Sequence, residues 1–292
     1  FRRISAEGVK DKNCGEYYQN FWGERYVLRK TKWGIVREDL PGALSNARSF
    51  NEIKNFDWPS TDLFDYSCLD DLCKKYDGYS IIYGFADIWQ RPCLVRGMEN
   101  ALIDMVENPD WMHFLSRKFT DFYKEDYYKA YKAANGRIDI FLVISDLGSQ
   151  NGLLISPDMF DEFVYPYLKE LTDHIHNLGA YVMFHSCGNI FPCIEKLIEI
   201  GIDILDPIQP ASTDMSPENL SNLFGGKICF HGGIDIQSVM VYGSPQDIIN
   251  EVERYKKAFA ETGGYICAPS HKLQPDIPVD NIFAIYGKEV PK

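Results

Sequence analysis

From about residue 137 onward the sequence alternates between short apolar runs and longer segments with helical periodicity. Together with one earlier run, the apolar runs cover residues 80–85, 138–144, 180–184, 202–205, 227–230 and 264–267. They barely alternate between polar and apolar residues, which is typical of strands covered by helices on both faces. The pattern therefore predicts consecutive β-α units, arranged as a closed barrel or as an open doubly wound sheet.

Three of the predicted helices carry the same start signal. Each begins with serine followed by proline, at Ser156-Pro157, Ser216-Pro217 and Ser244-Pro245. A serine side chain can cap the free N–H groups of the first turn, and proline is favoured at the first helical position. The first of these helices is predicted to run to Gly179, which would be its left-handed C-cap. A further helix, over about 109–134, has a Phe- and Tyr-rich face that predicts core packing.

The charge and composition of the chain indicate which kinds of molecule it can bind. The 292 residues carry a formal net charge of −12, and no basic block offsets it. This argues against nucleic acid and anionic membrane surfaces, so we expect a small molecule or another protein as partner. No apolar run has the length of a membrane-spanning helix, which predicts a soluble, cytoplasmic protein. No glycine-rich phosphate loop follows a predicted strand, which weakens the nucleotide-binding option.

The N-terminal part of the chain has a different character. Residues 1–75 are aromatic and rich in turn signals, and they predict one or two early strands plus a lid or cap. The chain begins with Phe1 rather than Met, from which we expect that an N-terminal segment is missing. Eight irregularly spaced cysteines in a chain of this size predict reduced thiols.

Polar side chains able to bind metal or move protons follow the later strands. They are Asp146, His185, Cys187, Asp206, His231, Asp235, Cys267 and His271. In a barrel, the ends of parallel strands converge on one mouth, so these side chains are expected to meet there. Blander interpretations are also open: Asp146 as a loop or capping residue, and Asp206, which precedes Pro207, as part of an Asx turn.

The His185-Ser186-Cys187 segment carries the sharpest chemical signal. Side chains two apart on a strand point the same way, so both could ligate one zinc ion. A catalytic zinc has three protein ligands and one open position, and the segment Cys267–His271 offers two candidates for the third. The alternative is a buried structural cysteine beside a hydrogen-bonded histidine.

Five motifs of the sequence resemble those of a known family. The motifs lie in order at 84–92, 145–167, 231–235, 263–271 and 278–281, and they resemble uroporphyrinogen decarboxylases and the related cobalamin-dependent methyltransferases. The resemblance spans about residues 80–286. It implies a (β/α)8 TIM barrel and a single domain over residues 1–292.

Within this superfamily the His185 and Cys187 pair is similar to the zinc motif of methylcobalamin:thiol methyltransferases. In that branch the third ligand is usually a cysteine in a Pro-Gly-Cys segment, where this chain has Pro269-Ser270-His271. Imidazole is also a good zinc ligand, so we predict His271 rather than Cys267.

The leading hypothesis is a zinc-dependent methyltransferase that moves a methyl group between a small substrate and a corrinoid (cobalamin) on a partner protein. The predicted roles are His185, Cys187 and His271 for zinc, Asp146 and Asp206 for catalysis, and Gln150, Gln209 and His231 for substrate. A homodimer is compatible with this hypothesis.

Two other hypotheses stay open. One is a metal-free decarboxylase of a tetrapyrrole-like substrate, in which Asp146 or Asp87 would stabilise a protonated pyrrole and His271 would contact a carboxylate. The other is a non-catalytic barrel that binds a corrinoid protein or a metabolite.

Overall fold

The computed structural model describes residues 1–32 and 34–287. The chain divides into two compact units. The first contains residues 1–145 and 157–181, and the second contains residues 146–156 and 182–287. The single-domain organisation stays a prediction. None of the helices in the described ranges is both long enough and apolar enough to cross a membrane.

The first unit combines parallel strands, a small antiparallel sheet and helices. Its strands are β1 (Arg2–Ile4), β2 (Lys12–Asn13), β3 (Tyr18–Gln19), β4 (Arg25–Thr31), β5 (Gly34–Asp39), β6 (Ile81–Ala86) and β7 (Ile140–Ile144). Its helices are α1 (Phe50–Lys54), α2 (Leu69–Lys75), α3 (Gln90–Arg96), α4 (Met98–Glu107), α5 (Pro109–Ala133), α6 (Pro157–Phe163) and α7 (Tyr165–Leu178). Strand β6 pairs in parallel with both β1 and β7, and β2 to β5 form an antiparallel sheet in chain order.

The N-terminal region contains more strands than the sequence predicts. The sequence predicts one or two early strands within residues 1–75, whereas β1 to β5 all lie there. Three of them are only two or three residues long, and every described residue of β5 is exposed. Strands this short or this exposed bury too few side chains to leave a hydrophobic alternation in the sequence.

Helix α5 packs its aromatic face into the core, as predicted. Leu115, Phe119 and Tyr127 are fully buried along it. The Tyr127 hydroxyl donates to the carbonyl of Leu142 at 2.5 Å and accepts from the N–H of Ala86 at 2.9 Å. The pairing of β6 with β7 shifts between Tyr83 and Ala86, so this hydroxyl bonds backbone groups at a break in the ladder.

The predicted helix from residue 157 to Gly179 is interrupted. Helix α6 ends at Phe163 and α7 begins at Tyr165, because Pro166 has no N–H for the bond to the preceding turn. Gly179 caps α7 in the left-handed conformation, with φ of 89°. This part of the prediction is confirmed.

The second unit is built from parallel strands alternating with helices. Its strands are β8 (Tyr181–His185), β9 (Ile204–Ile208), β10 (Cys229–Ile234) and β11 (Tyr265–Pro269). Its helices are α8 (Ile194–Ile200), α9 (Pro217–Phe224), α10 (Val239–Tyr242), α11 (Pro245–Ala258) and α12 (Val279–Ile285). Neighbouring strands pair in parallel in chain order. The predicted serine caps at Ser216 and Ser244 are both present, the latter as a capping box.

The α/β class and all six predicted strands are confirmed, but the eight-stranded barrel is not seen. The described ranges contain seven strands in parallel pairings, three in the first unit and four in the second. Helix α12 is the last element of the described ranges, and no further strand follows β11 there to complete a set of eight parallel strands. The observed strands also begin one to two residues later than predicted and end up to four residues later. His185, Asp206 and His231 therefore lie within strands rather than after them.

Substitution Gly84→Ala should destabilise the first unit by about 3 kcal/mol. Gly84 has φ of +97°, and an added Cβ would lie 2.4 Å from the Tyr127 hydroxyl oxygen. Gly78 provides the control because its φ is +83° but no atom lies within 4 Å of an added Cβ. Gly78→Ala should lose only about 1 kcal/mol in urea unfolding. Equal losses in the two variants would contradict the packing argument.

Candidate metal centre

Three strands of the second unit bring polar side chains close together. His185 is the last residue of β8 and is the register partner of Asp206 in β9. His231 lies in β10 at an irregularity in its pairing with β9, between Phe230 and Gly232. All three side chains are half-buried, since 16 to 22% of each is exposed. This placement rules out the Asx-turn interpretation of Asp206.

The carboxylate of Asp206 bridges the two imidazoles. Its Oδ2 lies 2.5 Å from His185 Nδ1, and its Oδ1 lies 2.5 Å from His231 Nδ1. Burial opposes the charge of Asp206, but the hydrogen bonds from both histidines lower the pKa of this carboxyl to about 2. The ionised group only accepts, so each Nδ1 must donate. The reactive nitrogen of His185 is therefore Nε2.

Cys187 lies beside that nitrogen. Its Sγ is 3.4 Å from His185 Nε2, although β8 ends at His185 and Cys187 lies in the following loop. Strand alternation therefore explains only the orientation of His185. Burial lowers the pKa of His185, but its hydrogen bonds with Asp206 and Cys187 outweigh this and raise it to about 10. A metal ion at Nε2 would take the place of that proton.

The loop that carries Cys187 is fixed by residues 146–149. Asp146 Oδ1 accepts from the N–H of Cys187 at 2.9 Å, and the Ser186 hydroxyl accepts from the N–H of Leu147 at 3.0 Å. Gly188, with φ of +85°, lies so close to Gly148 that an added Cβ would be 2.5 Å from a backbone carbon. Glycine at these positions allows the two backbones to touch.

His271 completes the group. One ligand atom from each of His185, Cys187 and His271 lies within 4.8 Å of the other two. A tetrahedral zinc with ordinary bond lengths separates its ligand atoms by roughly 3.5 Å. The Sγ to Nε2 distance already matches this value, and His271 is exposed on a loop, so a modest side-chain movement would close the triangle.

These residues fit zinc by their chemistry as well as their spacing. Two imidazoles and one thiolate are standard zinc ligands, and three protein ligands leave one position for a substrate. Metal-binding histidines usually donate their other N–H to a carboxylate, which is the contact that His185 makes with Asp206. Cys267, the alternative third ligand, lies in β11 and is not part of the group.

The remaining predicted site residues differ in their contacts. Gln209 Oε1 accepts a short hydrogen bond from the N–H of Gly188, so it also supports the loop. Gln150 is exposed in the loop near Gly148, and its side chain makes no hydrogen bond within the described ranges. Asp146 Oδ1 lies 3.8 Å from His185 Nε2, close to the proposed metal position.

Asp87, named in the decarboxylase hypothesis, belongs to the first unit. It is almost completely buried and accepts from the hydroxyl of Ser145 at 3.1 Å. Burial raises the pKa of Asp87 to about 6, although Arg91 opposes this shift.

A model of the uroporphyrinogen decarboxylase (URO-D) family matches residues 70–287, which is well over half of the 292 residues. The chain belongs to this family. The resemblance seen in the sequence is thereby confirmed at the level of the family. No curated protein gives a significant match.

Solved structures extend the comparison. A methyltransferase from Methanosarcina mazei has a TM-score of 0.71 and 14% identity, with 91% of this chain and 75% of that chain covered. At this identity the likeness shows the fold alone. The IOLI protein with a binding zinc atom is 15% identical and covers 75% of this chain and 77% of that chain. Its TM-score of 0.39 is too low to carry an argument.

Zinc titration of the metal-stripped chain should give about one equivalent bound. Cys187→Ala should abolish this stoichiometric binding, because it removes the sulfur that lies 3.4 Å from His185 Nε2. Cys267→Ala is the matched control and should still bind one equivalent. Metal content is measured by elemental analysis after gel filtration. Loss of zinc in the Cys267 variant and retention in the Cys187 variant would overturn the ligand assignment.

Proposed function

We propose that the chain is a zinc-dependent methyltransferase that moves a methyl group between a small substrate and a corrinoid cofactor carried by a partner protein. The observation that carries the proposal is the grouping of His185, Cys187 and His271 within 4.8 Å. When bound, zinc would supply Lewis-acid chemistry, holding a thiol as its thiolate or polarising a leaving methoxyl or amine group. The fold similarity to the Methanosarcina mazei methyltransferase supports the same function class.

In this proposal Asp206 is a positioning residue. Its two oxygens hold the Nδ1 atoms of His185 and His231, so it fixes both imidazole rings. The carboxylate keeps the His185 proton on Nδ1 and leaves Nε2 as the ligand nitrogen. His231 is proposed to contact the substrate from its position on the other side of the carboxylate.

Asp146 and Gln209 are proposed to act next to the metal ligands. Asp146 holds the N–H of Cys187 through Oδ1, and its carboxylate is the proposed acceptor for a proton released by the substrate. Gln209 supports Gly188 through Oε1, which leaves its amide N–H groups as donors to a substrate. Gln150 stays a predicted substrate contact at the exposed edge of this loop.

Metal-free decarboxylation of a tetrapyrrole-like substrate is the second candidate. The URO-D family match supports it, and the buried Asp87 offers a carboxyl with a raised pKa. A metal-free reaction gives no reason for an imidazole nitrogen to face a thiol at 3.4 Å with a carboxylate behind the ring. The methyltransferase proposal accounts for all three groups, so we favour it.

Substitution Asp206→Asn should weaken zinc binding about 10- to 100-fold. An amide offers one acceptor oxygen and one NH2 donor, so it cannot accept from both Nδ1 atoms. Asp235→Asn is the control, because within the described residues the Asp235 carboxylate bonds only its own turn, at Gln237 and Ser238. Competition with a chromophoric chelator gives the affinities. If Asp206 positions the ligand, saturating zinc should restore activity, and unchanged affinity would contradict this role.

Methyl transfer itself is tested with free methylcobalamin and candidate thiols. The thiol should lose its proton to solvent and its sulfur should bond the methyl group. The Co–C bond breaks with its electron pair staying on cobalt, so the methylcobalamin spectrum should be replaced by that of cob(I)alamin as the thioether forms. In the opposite direction, candidate methyl donors should methylate cob(I)alamin. Both reactions should require zinc and fail in the Cys187→Ala variant. Decarboxylation of a porphyrinogen by zinc-free protein, without either methyl transfer, would favour the second candidate.

A further inference from the structure

The first unit contains a cavity of about 250 Å³ that the proposed methyl transfer does not use. It is lined by residues of β1, β6 and α5, by the segment Asn20–Trp22, and by neighbouring side chains. A cavity of roughly 150 Å³ can hold a benzene ring. This one therefore has room for a single ring with a polar substituent.

One wall of the cavity is aromatic. The rings of Phe21, Phe64 and Phe122 all line it, and they pack on one another. Their ring centroids are 5.4 Å apart for Phe21 and Phe64, 6.1 Å for Phe21 and Phe122, and 6.2 Å for Phe64 and Phe122. Mutual packing fixes these rings in place, so an apolar ligand would meet a preformed surface.

A guanidinium with an unused donor also lines the cavity. Arg91 Nη1 donates to Glu24 Oε2 at 2.7 Å, which fixes the side chain. Its Nε is buried and has no hydrogen-bond partner in the described part of the chain. A buried donor without a partner is unfavourable, so the protein itself leaves the Arg91 guanidinium incompletely satisfied. Carboxylates match the fork of a guanidinium especially well.

A second arginine lies at the same cavity. Arg3 Nη2 donates to the carbonyl of Gly84 at 2.8 Å, and its guanidinium lies 4.9 Å from the ring centre of Phe85. The remaining N–H groups of Arg3 make no hydrogen bond within the described ranges. Two guanidinium groups therefore line one cavity, and together they favour a ligand that carries acceptor oxygens.

Asp126 is the acidic residue of the lining. Its Oδ1 accepts from the hydroxyls of Tyr66 at 2.8 Å and Tyr83 at 3.0 Å. Its Oδ2 makes no hydrogen bond in the described structure, and burial raises the pKa of this carboxyl to about 6. An acceptor oxygen here suits a ligand hydroxyl and disfavours a second carboxylate. Glu24 offsets the charge of Arg91, so Arg3 supplies the positive charge of the lining that no carboxylate pairs with in the described residues, which favours one carboxylate over a polyanion.

We propose that this cavity binds a small aromatic monocarboxylate, with its ring against the phenylalanine wall and its carboxylate on Arg91 and Arg3. The site lies wholly within the first unit and includes none of the proposed zinc ligands. Ligand binding at this cavity can therefore be tested independently of the methyltransferase proposal. A hydroxyl on the ring should improve binding through Asp126.

Calorimetric titration of the intact chain with benzoate and 4-hydroxybenzoate tests the proposal. Both should bind saturably, and 4-hydroxybenzoate should bind more tightly. Neutral benzamide and cationic benzylamine should bind at least about tenfold more weakly, because they lack the charge-assisted hydrogen bonds to guanidinium. Absence of saturable benzoate binding, or tighter binding of benzylamine, would overturn the proposal.

Variants then locate the bound ligand. Arg3→Gln should weaken benzoate binding about tenfold, whereas Arg2→Gln, on the same strand but outside the cavity lining, should change it less than about twofold. Ala6→Leu should abolish binding by filling the cavity from a loop position. Arg91→Lys should weaken it too, with a thermal melt confirming that the variant folds. If the Arg3→Gln and Ala6→Leu variants bind benzoate with the affinity of the unsubstituted chain, benzoate binds outside this cavity and the proposed site is refuted.

Discussion

The polar architecture of the second unit depends on one carboxylate. Asp206 is ionised and half-buried, and it accepts from an imidazole on each of its oxygens. Burying a charge is costly unless hydrogen bonds compensate, and charge-assisted bonds are the strong ones. Because the carboxylate cannot donate, the Nδ1 atom of each histidine must carry a proton. The orientation of His185 towards Cys187 follows from this.

The second constraint is the close contact of two loops. Cys187 is not held by a strand, so its position depends on the backbone around Gly148 and Gly188. Asp146, Ser186 and Gln209 bond backbone N–H groups there, in each case through a side-chain oxygen. The acidic and amide residues predicted to handle substrate therefore also build the loop that presents the thiol. Structural support and the proposed chemistry are combined in the same side chains.

The sequence predicts the β-α order and the strands that carry His185, Asp206 and His231, because burial leaves a clear apolar pattern. It also predicts the serine caps of α9 and α11. It does not predict the bridging role of Asp206. Two histidines and one aspartate in different strands meet only through strand register, which a single sequence does not encode locally. Pro166 is a sequence signal for the interruption between α6 and α7 at Val164. The sequence carries no comparable signal for most strands of residues 1–39, because these strands are short and largely exposed.

Tyr127 links a helix to the interior of a sheet in the first unit. Its hydroxyl bonds one backbone group of β6 and one of β7, and the space it occupies is the space that a side chain at position 84 would need. The ring thus serves as a spacer between two strands. A larger residue at position 84 therefore requires a smaller one at position 127. A smaller residue there would leave the N–H of Ala86 and the carbonyl of Leu142 without the hydrogen bonds that Tyr127 makes. These two positions should therefore covary among related chains, despite lying more than forty residues apart.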